Sequence, residues 1–352
     1  MPVYINASSM LSAKEKLKQP INFLEQQAKV PYFRYFEQQP LSLESLYSYL
    51  EQQIRIVLDK ADWNIEELKD IPIFLGSTAY VMADCEKRFI NSQSLFDPHT
   101  LTHIADYFYQ RYQATCFSFA TSCTSSAQAI AYATRMLESG IYNKAIVIGF
   151  EPFNRFTLDH FYAMNMLSLQ DNYLPLISPS GIVLGEGIGT LALSRHQQKN
   201  ALFDYEIIAV TTITDNDNLT NTDKESFYQL INNCLENAGL SHNQIKGIKT
   251  HSVGSPIDEL EKEILVNLFP KAFYLVPKLK LGHTLGASGA LETAALLQSF
   301  QNISWLEDCV MVFNNESLEI SREFQLNDGY YLNYFLGFGG SNVAWVLKVT
   351  RK

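Results

Sequence analysis

The sequence predicts an α/β fold in two comparable halves. Strand-like runs alternate with helical ones along most of the 352 residues, and the same style resumes after residue 205. Residues 194–201 between the halves are polar without being low in complexity, so one merged architecture is expected rather than two independent domains.

In the first half, residues 43–60 and 100–112 read as helices, and residues 71–76 as a strand. Residues 114–119 are predicted to form a short buried strand. Beyond it, Ala127, Ile130, Ala131, Ala133, Met136 and Leu137 recur at helical spacing as far as Gly140, a C-cap. Residues 145–150 and 187–193 read as strands, the second entered through the glycine-punctuated stretch Gly181-Ile182-Val183-Leu184-Gly185-Glu186-Gly187. In the second half, residues 205–212 are rich in β-formers, and residues 224–238 form an amphipathic helix ending at Gly239. Residues 245–251 are a strand, 287–300 a helix preceded by glycines, and 330–335 and 343–349 the closing strands. No short-period repeat is visible.

Composition narrows the function. With 47% hydrophobic and 18% charged residues, the chain can bury a core of about two ordinary domains. It has no 18-residue apolar run, so no membrane span is expected. Residues 1–7 lack the basic-then-apolar layout of a secretory signal. Cys85, Cys116, Cys123, Cys234 and Cys309 are odd in number, scattered and free of CxxC spacing. They point to a reducing compartment and away from a disulfide frame or a zinc site. The net charge of −10 disfavours nucleic acid as a partner, because phosphate neutralisation needs clustered Lys and Arg. A cytoplasmic globular protein is expected.

Cys123 stands at the joint between an extended run and a helix of small residues, in Ala120-Thr121-Ser122-Cys123-Thr124-Ser125-Ser126-Ala127. The first unpaired N–H groups of that helix and its positive dipole end lie near the sulfur, which is expected to favour thiolate over thiol. Three further motifs lie far away in sequence. His251-Ser252-Val253-Gly254-Ser255 ends a strand, and a glycine-rich bend runs from Lys278 through His283 to Glu292. Gly337-Phe338-Gly339-Gly340-Ser341-Asn342 turns between the closing strands. Each alone is a weak signal.

Taken in order, these motifs resemble the β-ketoacyl-acyl carrier protein synthases, the condensing enzymes of the thiolase-like fold. The resemblance runs from about residue 3 to residue 349 and is densest over 114–195 and 247–345. It implies a five-layered αβαβα fold built from two similar halves. Residues 1–195 would carry the cysteine, and residues 205–352 both histidines. Cys123 would carry the acyl group, His251 and His283 would be the catalytic histidines, and Lys278 and Glu292 their supporting pair. Phe338 would gate the site, its N–H forming an oxyanion hole with that of Cys123. Ser255, Val253, Gly337 and Gly339 would border the substrate, and Gly185-Glu186-Gly187 reads as a structural turn. The implied reaction is decarboxylative Claisen condensation of a Cys-bound acyl group with a malonyl thioester, in fatty acid or type II polyketide (aryl-polyene-like) synthesis. Only a thiolate is both a good nucleophile and a comparable leaving group for thioester exchange. No metal or redox cofactor is implied, since substrates arrive on the phosphopantetheine of an acyl carrier protein. Lys87 and Arg88 form a small basic pair that an acidic carrier helix could bind. A dimer is implied, either a homodimer or a heterodimer with a second ketosynthase-like subunit.

The sequence departs from the family pattern in places. Val253 replaces a threonine while Ser255 keeps a hydroxyl, and Leu336 replaces a phenylalanine. Asp258 and Glu261 match the family's acidic pair only across a one-residue deletion, and residues 3–7 replace the turn after the first strand. The chain is also short. An alternative reading is a chain-length-factor-like subunit that shapes a partner's tunnel without catalysis, although such partners normally lose the nucleophile. A thiolase would need a second cysteine in a glycine-rich setting, which Cys309 lacks. A Cys-His-Asn synthase, with Asn342 as the third residue, is disfavoured by the His283 motif.

Overall fold

Alternation of apolar and polar side chains makes Val3–Leu11 the first strand, β1, with Val3, Ile5, Ala7 and Ser9 turned into the core. This corrects the expectation that residues 3–7 replace a turn: they lie within the strand. The computed structural model describes residues 1–352 except 24–25, 96–100, 216–222, 303–304, 306, 315–316 and 323. After β1 come a hairpin, β2 (Glu15–Phe23) and β3 (Gln26–Arg34), then α1 (Leu43–Ala61), β4 (Ile73–Gly76), α2 (Met82–Ile90) and α3 (His103–Tyr112). Thr100, the expected start of α3, lies outside the described residues. The first half continues with β5 (Cys116–Phe119), α4 (Ser125–Glu138), β6 (Lys144–Glu151), α5 (Arg155–Ala163), β7 (Leu184–Gly185) and β8 (Gly187–Ser194).

The second half opens with β9 (Phe203–Thr214), α6 (Lys224–Ala238), β10 (Ile245–Lys249) and α7 (Ile257–Leu268). Next come β11 (Phe273–Leu275), the single turn α8 (Lys278–Leu281), and α9 (Ser288–Gln301). The strands β12 (Val310–Asn314), β13 (Ser317–Ile320), β14 (Gly329–Leu336) and β15 (Ser341–Arg351) close the chain. Helix α6 has the limits its pattern predicted. Asp223 caps its start by accepting the Ser226 N–H, and Gly239 at φ 66° ends it in the left-handed conformation.

The strands of the two halves follow one order. In the first half they run β5-β4-β6-β8-β1 and in the second β11-β10-β14-β15-β9, each reading 3-2-4-5-1 in its own chain order. A short antiparallel contact, Val3 with Ile207 and Tyr4 with Glu206, joins the halves through β1 and β9. In both halves the helix after the third strand lies at the centre, α4 in the first and α9 in the second. Helices α1 and α3 cover the outer face of one set of strands, and α6 and α7 that of the other, which completes five layers.

Close approach of α4 and α9 explains their small residues. A Cβ on Gly289 would lie 2.2 Å from the backbone nitrogen of Ala127, and one on Gly76 would lie 2.4 Å from the Ser126 backbone. Neither backbone can yield that far. One expectation fails here: β5 is half-buried along its length, not buried, because it is the edge strand of its half.

Candidate active site

The repeated topology delivers equivalent βα joints to one place. Ser122–Thr124 form a single 3₁₀ turn between β5 and α4, and Leu285–Ala287 form its counterpart before α9. Each turn holds a non-glycine residue in the left-handed region, Ser122 at φ 58° and Leu285 at φ 46°, and such strain persists only where the surroundings enforce it. Glu151, at the end of β6, ties the second of these turns to the loop that follows β4. Its carboxylate accepts the Thr78 N–H at 2.9 Å and the Gly286 N–H at 3.0 Å, with the Thr78 hydroxyl at 2.7 Å.

This geometry places His283 Nε2 3.1 Å from Cys123 Sγ, across 160 residues of sequence. The rings of His251 and His283 stand edge to face with centroids 5.6 Å apart. His283 is held by its backbone: its N–H donates to the Val183 carbonyl at 2.7 Å, and its carbonyl accepts the Gly185 N–H at 3.0 Å. Gly185 is needed there because a Cβ would meet the Leu281 carbonyl at 2.1 Å. Glu186 brackets the same loop by accepting N–H groups from Tyr35, Phe36 and Phe153 at 2.7–2.9 Å. The Gly185-Glu186-Gly187 turn is thus structural, and its carboxylate does more than the turn alone requires.

Two carboxylates of α7 shape the His251 loop. Glu261 Oε1 accepts the His251 and Ser252 N–H groups at 3.0 and 3.1 Å and the Tyr334 hydroxyl at 2.6 Å. Asp258 accepts N–H groups from Val253, Gly254 and Leu176 at 2.8–3.0 Å. Burial raises both, Glu261 to about 7 and Asp258 to about 6.

Cys123, His251, His283, Val253, Ser255 and Phe338 all line one cavity of about 310 Å³. Phe338 also borders a second cavity of about 210 Å³, with Met82, Ser122, Phe161 and Leu285. Its backbone N–H is close enough to the Cys123 sulfur to favour the thiolate. Gly339 adopts φ 82° in that turn, and Asn342 accepts the Gly337 N–H at 3.3 Å, so Asn342 serves the turn rather than the cavity. Lys87 and Arg88 sit on α2, where Arg88 pairs with Asp84 at 2.6 Å, and neither lines the two cavities. Cys309 is buried in the core behind β12.

Behind the histidines, Lys278 Nζ lies 2.5 Å from Glu292 Oε1, too obliquely for a hydrogen bond. The other carboxylate oxygen, Oε2, is taken at 3.0 Å by Lys249, a residue the motif reading passed over. Its signal was faint: a lysine in the strand Ile245-Lys246-Gly247-Ile248-Lys249 reads as one more surface position. All three side chains are buried, with exposures of 0–1%.

Electrostatics correct one expectation. Burial dominates at Cys123 and lifts its thiol to about 11, despite the opposing pull of the Ser122 hydroxyl, the Lys278 charge and the Phe338 N–H. The resting residue is a thiol, not a thiolate. Both imidazoles are held well below 6.5, first by burial and then by the Lys278 and Lys249 charges, and His251 also by His283. The alkylation rate of Cys123 by iodoacetamide, read by intact mass, should therefore climb about tenfold per pH unit from pH 7 toward pH 10. A plateau near neutrality would contradict this.

Comparison with known proteins bears on the same site. Residues 107–199 match the description "Beta-ketoacyl synthase, N-terminal domain" and residues 205–307 match "Beta-ketoacyl synthase, C-terminal domain". A 3-oxoacyl-[acyl-carrier-protein] synthase 2 of Coxiella burnetii is 27% identical over 257 residues, 65% of this chain. The match spans 61% of that relative's length. Among solved structures, the ketosynthase ApeO in complex with its chain length factor ApeC from Xenorhabdus doucetiae superposes with a TM-score of 0.80. It has 20% identity, with 99% of this chain and 98% of that one covered. The type II polyketide assembly AntDE:AntF, an acyl-carrier protein with its ketosynthase, gives 0.76 at 14% identity, with 99% of each chain covered. These structural likenesses show the fold, which is that of the ketosynthases. The chain belongs to the beta-ketoacyl synthase family.

Proposed function

We propose that the protein is a β-ketoacyl-acyl carrier protein synthase that condenses a Cys123-bound acyl group with a malonyl thioester. The observation that carries this reading is the convergence of the Cys123 sulfur, both imidazoles and the Phe338 N–H on one buried cavity. In the first half-reaction the sulfur attacks the acyl thioester carbonyl while its proton passes to His283 Nε2. The carbonyl oxygen gains charge under the N–H groups of Cys123 and Phe338, each worth about 3–4 kcal/mol. The old C–S bond then breaks, and the departing carrier thiol takes the proton back from His283.

In the second half-reaction the malonyl C–CO2 bond breaks and its electron pair becomes an enolate. Neutral His251 and His283 donate hydrogen bonds to the enolate oxygen, a role that the depressed imidazole pKa values protect. The enolate carbon attacks the Cys123 thioester, the C–S bond to Cys123 breaks, the sulfur leaves as thiolate and takes one proton from solvent, and a 3-oxoacyl thioester and CO2 are released. Ser255 lines the mouth of the cavity, where the pantetheine arm of an acyl carrier protein would lie, and Phe338 separates that side from the second cavity, which would receive the acyl chain. The scheme calls for no metal or redox cofactor. It takes place in the cytoplasm, in fatty acid or type II polyketide synthesis of the aryl-polyene kind. Among the described residues no helix is long and apolar enough to cross a membrane.

A second ketosynthase-like chain fits as partner, because among the described residues β5 pairs on one side only, beside the cysteine joint. The test is to supply acyl and malonyl carrier thioesters, with and without such a partner, and to follow CO2 release and the product mass. A two-carbon-longer 3-oxo product is expected. Binding of the partner with no product in either arm would favour the non-catalytic, tunnel-shaping role instead.

A further inference from the structure

Lys249 is too completely accommodated to be an accident of burial. One N–H direction goes to Glu292 Oε2 at 3.0 Å and another to the Tyr334 carbonyl at 2.9 Å, while the ammonium sits 3.2 Å from the centre of the Phe335 ring. Carboxylate, carbonyl and π-face together form a cage for a cation. Glu292 is in turn shared, with one oxygen facing Lys249 and the other Lys278. A single carboxylate between two ammonium groups leaves one positive charge over, two residues upstream of His251 on the same strand end.

We propose that Lys249 is a positioning residue: it anchors Glu292 from behind and supplies the surplus positive charge that keeps His251 and His283 neutral. The proposal rests on the condensing-enzyme reading for its purpose, but not for its test. The charged and titratable groups facing Lys249 are Glu292 from α9, Lys278 from α8, Glu261 from α7, and the two histidines. Because Glu292 is shared between the two ammonium groups, the charge on Lys249 adds to burial and to the Lys278 charge in disfavouring imidazolium at both rings. Burial lowers Lys249 to about 7, against a partial restoring pull from Glu292. The ammonium is therefore present below neutrality, the range in which an imidazole would otherwise take up a proton. A positive neighbour disfavours that second cation.

Histidine side-chain ¹⁵N shifts of the whole protein, recorded against pH, test this without substrate. In Lys249→Gln, which keeps a hydrogen-bond donor and loses the charge, the titrations of His251 and His283 should move up by about one pH unit. Lys249→Met should do the same. The acid limb of condensation should follow the same shift, with kcat falling and KM for the carrier thioester unchanged. If either variant fails to fold, the unmodified protein still decides: its Lys249 Nζ signal should titrate near neutrality, with the histidine signals stepping at the same pH. Unmoved histidine titrations in a folded variant, or no shared step in the unmodified protein, overturn the proposal. If the titrations shift but the unmodified protein forms no condensation product, the proposed function fails while the role of Lys249 stands.

Discussion

Cys123→Ala should fold normally and show no acyl adduct when incubated with an acyl carrier thioester, where the unmodified protein gains the mass of one acyl group. Removing one buried sulfur leaves only a small void, so the cost in stability is about 1–2 kcal/mol. Loss of the nucleophile, by contrast, removes the covalent route altogether, a drop in transfer of roughly 10⁴-fold or more. No other cysteine can substitute. Burial pushes Cys116, Cys234 and Cys309 to about 12 and raises Cys85 as well, and none of the four lines the cavity with the histidines. Cys123 lines that cavity and has an imidazole 3.1 Å away to receive its proton. Intact mass of both proteins after a timed incubation gives the answer. An adduct of equal yield on the alanine variant would end the proposed mechanism.

Glu292→Ala should be the most destabilising single change in the site. It deletes the carboxylate that, among the described residues, pairs with both Lys249 and Lys278, and leaves two ammonium groups within a fully buried cluster. Stranding a buried charge costs about 3–5 kcal/mol, a fall in Tm of roughly 4–7 °C for a chain of this size. The sign of its pH dependence follows from Lys249. That lysine has its folded pKa lowered to about 7, below the ordinary value of 10.5, so its buried charge weighs against the fold in full below pH 7. As pH rises from about 7 to 10.5 the folded state sheds that proton first, and the Tm deficit of the variant should shrink. Differential scanning of both proteins at pH 6 and pH 9 checks it. A deficit below about 1 kcal/mol at pH 6, or one that grows with pH, would show that the carboxylate does not hold the pair.

The regular elements were legible to different degrees. Helix α6 was read to the residue because its apolar stripe and its Gly239 stop act within a few residues of one another. The hairpin β2–β3 was missed: Pro20 and Pro31, together with exposed lysines, conceal a ribbon whose Ile21, Val30 and Tyr32 pack beside Cys123. Helices α2, α5 and α7 and strands β11, β12 and β13 also escaped, being short and stabilised mainly by what they pack against. In the site, the ordered motifs named Cys123, His251, His283, Lys278, Glu292 and Phe338. Glu261 and Asp258 were named only by a doubtful alignment, and the loop hydrogen bonds they accept come from the fold.

Two readings needed the tertiary structure. From sequence, Cys123 was a helix-start cysteine with a favoured thiolate. In the fold its 3% exposure makes desolvation the larger force, and the thiol rises. Lys249 belongs to none of the motifs, and only the fold brings it against Glu292.

What the sequence determined by itself was the periodic elements, the turn glycines and the chemical identity of the groups, because these depend on neighbours a few positions apart. What only the tertiary structure decided was which groups share a dielectric and a distance. The 3.1 Å contact between Cys123 and His283 closes a loop of 160 residues. Burial then raises the thiol and lowers both imidazoles drawn into the cavity.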